Sequence, residues 1–148
     1  MKNKRFMPPA YFWIYCALSV VISFVPVGRF LSFPWSMIGI LFVVLGLLLS
    51  VWVEGVFKRA KTTVKPFKQS SVFVTSGPFR FSRNPMYLGM TVIFVGITII
   101  LGNFLSIIGA IAFVITMNVQ FIRFEEAKMM ETFGAEYVEY KRSVRRWI

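Results

Sequence analysis

Uncharged stretches follow one another along this chain, separated by short basic segments. Residues 10–28 carry no charge, residues 30–53 carry none, and residues 84–122 form a third and longer uncharged run. A helix needs about 20 apolar residues to cross the hydrocarbon core of a bilayer. The first two runs meet that length once each. The third is too long for one helix, and Gly102-Asn103 near its middle reads as a turn. The pattern predicts four spans at roughly 10–28, 30–54, 85–101 and 104–122, the last two forming a tight helical hairpin. Beyond the fourth span, Met130, Phe133, Tyr137, Tyr140 and Val144 recur at intervals of three and four, the stripe of an amphipathic C-terminal helix.

The basic residues test this topology. Of 17 Lys and Arg, only Arg29 falls between the first and second spans, and the Gly-Asn turn has none. All others precede the first span, lie between the second and third, or follow the fourth. Cytoplasmic segments of membrane proteins carry such an excess of positive charge. The expected fold is therefore all-α and integral to the membrane: a single membrane domain over residues 1–148, with both termini, the 55–84 loop and the 123–148 tail cytoplasmic.

Composition agrees: 57% of residues are hydrophobic and 16% charged. The net charge of +11 reads as topology signal and attraction to anionic lipid rather than as a nucleic-acid footprint, because the cations flank spans instead of forming a separate basic domain. The apolar start is long and lacks a small-residue cleavage signal, so it is expected to be retained. Cys16, the sole cysteine, lies within the first span and has no partner for an intramolecular disulfide.

The longest connection ends in "TSGPFRFSRNPMYLG" (75–89). "SSVFV" is short, β-branched and aromatic, hence extended, and "TSGP" is a turn. Asn84 and Pro85 read as the N-cap and first residue of the third span. A cap accounts for neither Arg83 nor Tyr87, and a polar, glycine-containing loop at membrane depth is tolerated where it lines a cavity. A pocket and a simple loop both fit these local features. Glu54 ends the second span, where it pairs with Lys58 one turn on or serves a function. Glu125 and Glu126 stand where the fourth span leaves the membrane, either paired along their own helix, as Glu125 with Lys128, or turned back toward "RNPMY".

Absent residues narrow the chemistry. The chain has no His and no Asp, which removes Ser-His-Asp and Cys-His systems and His-based metal sites. No metal centre is expected. No Gly-x-Gly occurs, so dinucleotide and P-loop fingerprints are missing. What remains is chemistry resting on positioning, such as attack on an already activated sulfonium methyl group.

The segments "TSGPFRFSRNPMYLG" and "EEAKMMETFGAEYVEYKRSVRRWI", separated by two spans, resemble the small membrane methyltransferases related to isoprenylcysteine carboxyl methyltransferase and phosphatidylethanolamine N-methyltransferase. The likeness covers roughly residues 55–148. It implies S-adenosyl-L-methionine as cofactor, a lipophilic or small apolar methyl acceptor with an O, N or S nucleophile, and a site facing the cytoplasm. Carried over by position, Val72, Phe73, Val74, Phe79, Asn84, Pro85, Met86, Tyr87, Glu125 and Glu126 would bind the cofactor, Glu125 being the better placed of the acidic pair. Arg83, Asn84 and Tyr87 would act in catalysis, and Arg123 would approach the acceptor. Two departures stand out. Many members have His where this chain has Asn84, which leaves proton removal unassigned. The arginine that members acting on prenylated cysteine carry one turn before the acidic pair is Phe121 here. The short chain resembles bacterial members, implying a bacterial inner membrane rather than endoplasmic reticulum. The alternatives are a small four-helix transporter using Glu54 as coupling carboxylate, or a membrane subunit without catalysis.

Overall fold

The structure is a computed structural model and describes residues 7–60 and 73–148. Among the described residues every regular element is helical. α1 runs Pro8–Ser23, and α2 runs Ile38–Arg59 after a 3-10 turn at Trp35–Met37. A second 3-10 turn, Gly77–Arg80, leads to α3 at Pro85–Leu101. α4, Phe104–Thr116, continues through a π-helical stretch at Met117–Ile122 into α5, Arg123–Ser143.

α2 and α3 pack antiparallel along a seam of glycines. A Cβ added at Gly96 would lie 2.6 Å from the Gly39 carbonyl oxygen, and one at Gly46 would lie 2.7 Å from the Gly89 carbonyl oxygen. Gly39 and Gly46 are two helical turns apart, as are Gly89 and Gly96, so each pair falls on one stripe. Apolar side chains gain little by leaving lipid for each other, and small residues let the helix backbones make close contact instead. The rest of α2 is bare: Ile40, Leu41, Val44, Leu47, Leu48 and Val51 are all exposed. Such a surface suits a lipid environment.

α1 and α4 close the other side. Phe12, Phe94 and Phe113 meet edge to face at ring-centroid separations of 5.3 to 6.1 Å. Met117 and Phe121 extend this core toward Tyr87. The hydroxyls of Tyr15 and Thr116 share a 2.8 Å hydrogen bond between the two helices.

The helices are bounded differently from the uncharged runs. α1 stops at Ser23, and Pro26, Gly28 (φ 102°) and Pro34 occupy the connection before α2. Proline lacks an N–H and Gly28 takes a left-handed conformation, so hydropathy continues where helix geometry does not. α2 extends one turn past Glu54. No break marks residue 122: the run Phe104–Ser143 continues through it, and its kink falls at Gly134, where φ 50° and ψ −119° leave the helical region. That run and Trp35–Arg59 are long and apolar enough to cross a membrane. Pro8–Ser23 and Pro85–Leu101 are shorter apolar helices.

The Gly102-Asn103 turn has clear causes. Gly102 adopts φ 60° at the end of α3, and a side chain there would meet the Leu31 carbonyl. The Asn103 side chain accepts a 2.8 Å bond from the Leu105 amide, capping α4, while its amide group donates to the Ser23 and Val25 carbonyls. The expected stripe is divided by the kink at Gly134: Tyr137, Tyr140 and Val144 are buried, and the partly buried Phe73, Met130 and Phe133 pack against them.

Candidate active site

The chain from Gly77 to Tyr87 sets one wall of the site. Its 3-10 turn buries Pro78 and Phe79, and Ser82 Oγ accepts from the Asn84 amide at 3.1 Å. Pro85 then starts α3, as expected. Asn84 occupies the N-cap position but does not cap: its side chain leaves the helix axis and donates to the Arg146 carbonyl at 3.1 Å. The expected capping bond is replaced by a tie to the C-terminal tail. Further ties join the same segments. The Arg83 amide donates to the Arg145 carbonyl at 3.0 Å, Ser82 Oγ donates to the Arg146 carbonyl at 3.3 Å, and the Tyr140 hydroxyl donates to the Phe79 carbonyl at 2.6 Å.

Beside this wall lies a mostly apolar cleft of about 300 Å³. Its lining combines Met7, Pro8 and Pro9 of the α1 entry, Phe57 of α2, Phe79 and Arg83 to Tyr87, Met90, and Glu125 from α5. That volume is at the small end for organic ligands. Tyr87 donates a 2.6 Å hydrogen bond to Glu125 Oε1, joining the start of α3 to the start of α5. Burial pushes the Glu125 carboxyl up from 4.5 to about 7, against the opposing pull of the Tyr87 hydroxyl and the Lys128 charge. A desolvated carboxylate held by a tyrosine hydroxyl in an apolar cleft suits a cationic ligand.

Glu126, one residue on, faces elsewhere. Its carboxylate receives Arg146 on both oxygens, Nε at 3.1 Å and Nη2 at 2.7 Å, and Arg83 Nη2 lies 3.4 Å from Oε1. The Glu126 and Arg83 side chains are 8% and 9% exposed and that of Arg146 is 35%, so a buried ion pair is completed by a partly exposed arginine.

Sequence reasoning brought Phe79, Arg83, Asn84, Pro85, Met86, Tyr87 and Glu125 to one place, and all line the cleft. Glu126 does not line it. Phe73 stacks on Phe133 at 5.0 Å, and Val74 is half-buried; both lie apart from the lining. Arg123 is exposed and also lies apart from it. Val72 is outside the described residues. Glu54 pairs with Lys58 at 2.8 Å on the exposed end of α2, an ordinary one-turn ion pair. Among the described residues no group of acidic, His or Cys side chains could hold a metal ion. Phe57, Met90 and the Met7-Pro8-Pro9 entry were not anticipated. A signal existed for Phe57, which lies one turn beyond the fully buried Val53 on α2. In the sequence Arg146 stands out only as one of the basic residues after the fourth span.

Known proteins share this fold. The solved structure of isoprenylcysteine carboxyl methyltransferase, described as a eukaryotic intramembrane Ras methyltransferase, superposes with a TM-score of 0.62 at 24% identity. The match covers 95% of this chain and 50% of that one. The fold is thus that of the intramembrane enzyme. In sequence, the chain is 39% identical over 82 residues to the protein-S-isoprenylcysteine O-methyltransferase of Saccharomyces cerevisiae, 55% of this chain and 34% of the yeast protein. It is also 41% identical over 63 residues to an uncharacterized protein of Haemophilus influenzae, covering 43% of this chain and all of that one. The chain therefore spans about a third of the yeast enzyme and half of the solved one. The phospholipid methyltransferase pattern matches residues 35–136, more than half of the sequence, and the chain belongs to that family.

Proposed function

We propose that the protein is a four-span membrane methyltransferase that uses S-adenosyl-L-methionine and acts on a lipid-like or small apolar acceptor. The observation that carries this reading is the Tyr87–Glu125 pair in the cleft. It unites the two segments whose resemblance points to methyl transfer, and a carboxylate in that cleft would suit a cationic cofactor. Family membership and the intramembrane fold support the same reading.

When bound, the cofactor would supply a methyl group on a sulfonium, an electrophile that needs no further activation. The residues' own tasks are to bind, orient and exclude water. Glu125 would hold the positive charge, and Tyr87 fixes its carboxylate. Phe57, Phe79, Met86 and Met90 give an apolar lining that strengthens the charge interaction by keeping solvent out. The acceptor would enter from the bilayer, where an amphiphile already partitions. With α1 to α4 crossing the membrane, the basic 55–84 loop and the tail lie on the cytoplasmic side, in a bacterial inner membrane. The transporter reading loses its support, because Glu54 forms an exposed ion pair at a helix end.

Calorimetric titration of detergent-purified protein with S-adenosylmethionine and S-adenosylhomocysteine, wild type beside Glu125→Gln, tests the reading. Saturable binding that the variant loses is expected. A folded wild type that binds neither compound would overturn it.

A further inference from the structure

Arg146 lies outside the cleft lining, yet most of its polar groups are committed to segments that build the cleft. Its Nε and Nη2 hold both oxygens of Glu126. Its Nη1 donates to Asn118 Oδ1 at 3.4 Å, a residue of the π-helical stretch that connects α4 to α5. Its carbonyl accepts from Ser82 Oγ and from Asn84 Nδ2. Glu126, so held, is the ion partner of Arg83. Arg83 has no other carboxylate paired to it among the described residues, and its Nε and Nη1 are buried without hydrogen-bond partners there. Its guanidinium also lies beside the Tyr137 hydroxyl. Beside that hydroxyl contact, the guanidinium depends on Glu126 as its counter-ion, so fixing Glu126 helps to fix Arg83. The chain from Arg83 to Tyr87 lines the cleft, and Glu125 is the neighbour of Glu126 on the same helix.

We propose that Arg146 is a positioning residue: it clamps Glu126, which fixes Arg83 and with it the Asn84–Tyr87 wall opposite Glu125. This rests on the cleft being the cofactor site proposed above. A planar fork that meets both carboxylate oxygens gives geometry as well as charge, which a lysine would only half replace. The carbonyl ties of Arg146 do not depend on its side chain. Removing the guanidinium should loosen the Glu126 and Arg83 side chains at the wall while leaving the tail docked.

The test is calorimetric titration with S-adenosylhomocysteine of wild type, Arg146→Met, Arg146→Lys, Glu126→Gln and the Arg146→Met/Glu126→Gln double variant. Unfolding midpoints are measured alongside, and titrations run well below the lowest of them. Arg146→Met is expected to raise Kd about tenfold or more, with Arg146→Lys falling between it and wild type. Because Arg146 acts through Glu126, the double variant should bind no more weakly than Glu126→Gln alone. Wild-type affinity in a folded Arg146→Met, or strictly additive losses in the double variant, would overturn the proposal. A wild type that does not bind would instead sink the reading of the cleft itself. A merely structural tail would lower the unfolding midpoint without the graded order of lysine and methionine in Kd.

Discussion

The pH dependence of ligand binding gives the sharpest test of the Glu125 site. Burial holds this carboxyl near 7 instead of 4.5. Only its ionised form attracts a cation, so affinity should rise as pH rises through about 7. The ionised fraction is about 3% at pH 5.5 and about three-quarters at pH 7.5, which predicts a roughly 20-fold fall in Kd across that interval. The interval is chosen below the usual range of a free α-amino group, about 7.7 to 8.0, so that the ammonium of S-adenosylhomocysteine stays charged. Stability should move the opposite way. A carboxyl whose folded value is raised binds more protons folded than unfolded, so its contribution is full below 4.5 and is lost as pH rises to about 7. Converting the shift gives a ceiling of about 3 kcal/mol, with about 1–2 kcal/mol expected once solvent in the open cleft is allowed for. Glu125→Gln removes both effects. The variant should bind weakly at every pH and unfold no earlier than wild type, or later, at about pH 8. Calorimetry across the interval and unfolding midpoints in detergent measure the two arms. Wild-type affinity independent of pH, or the same slope in Glu125→Gln, would refute the assignment.

Tyr87→Phe removes the hydroxyl that favours the ionised carboxylate, so the midpoint of the wild-type binding profile should move up by about one pH unit; the same titration series reads it. Glu126→Gln strands the buried Arg83 side chain and should cost about 3–5 kcal/mol of stability, visible as a lower unfolding midpoint and as a loss larger than that of any exposed charge such as Glu54. Gly96→Ala places a methyl group 2.6 Å from the Gly39 carbonyl oxygen and should destabilise the α2–α3 seam by about 1–3 kcal/mol, whereas alanine at Gly55, which meets nothing, should be neutral or better. Tyr140→Phe leaves the Phe79 carbonyl without its donor and should cost about 1–2 kcal/mol, with weaker cofactor binding because Phe79 lines the cleft.

Much of this was legible because hydropathy and turn chemistry act locally. Gly102 announced its turn through a left-handed conformation that few other residues adopt, and Asn103 through its capping side chain. The stripe from Met130 to Val144 marked the residues that pack together, but Gly134 kinks the helix between Phe133 and Tyr137, so they do not form one continuous face. Pro85 marked where α3 begins. What stayed hidden depends on side chains choosing partners far along the chain. Asn84 is as good a cap as any residue, but a carbonyl 62 residues away takes its amide. Glu125 and Glu126 are chemically identical in the sequence. Only the phase of α5, set by the π-helical stretch before it, turns one to the cleft and the other to two arginines. The glycine seam between α2 and α3 was also missed, since its two halves lie on different helices and become a pattern only when the helices run antiparallel.

If Glu125 meets a cation as proposed, the adjacency of the two glutamates lets them divide the work. A helix turns about 100° per residue, so neighbours face different sides while sharing one backbone segment. Anchoring Glu126 therefore immobilises the backbone that carries Glu125 without spending the charge of Glu125. Had one carboxylate served both tasks, the guanidinium of Arg146 would have neutralised it and drawn it out of the apolar lining, leaving nothing for a cation to meet. The burial that raises Glu125 has the same origin: its neighbour takes both arginines, so no full positive charge other than that of Lys128 offsets its desolvation. On the proposed reading, a bound cation would supply the counter-charge that this carboxylate otherwise draws only in part from Lys128 and the Tyr87 hydroxyl.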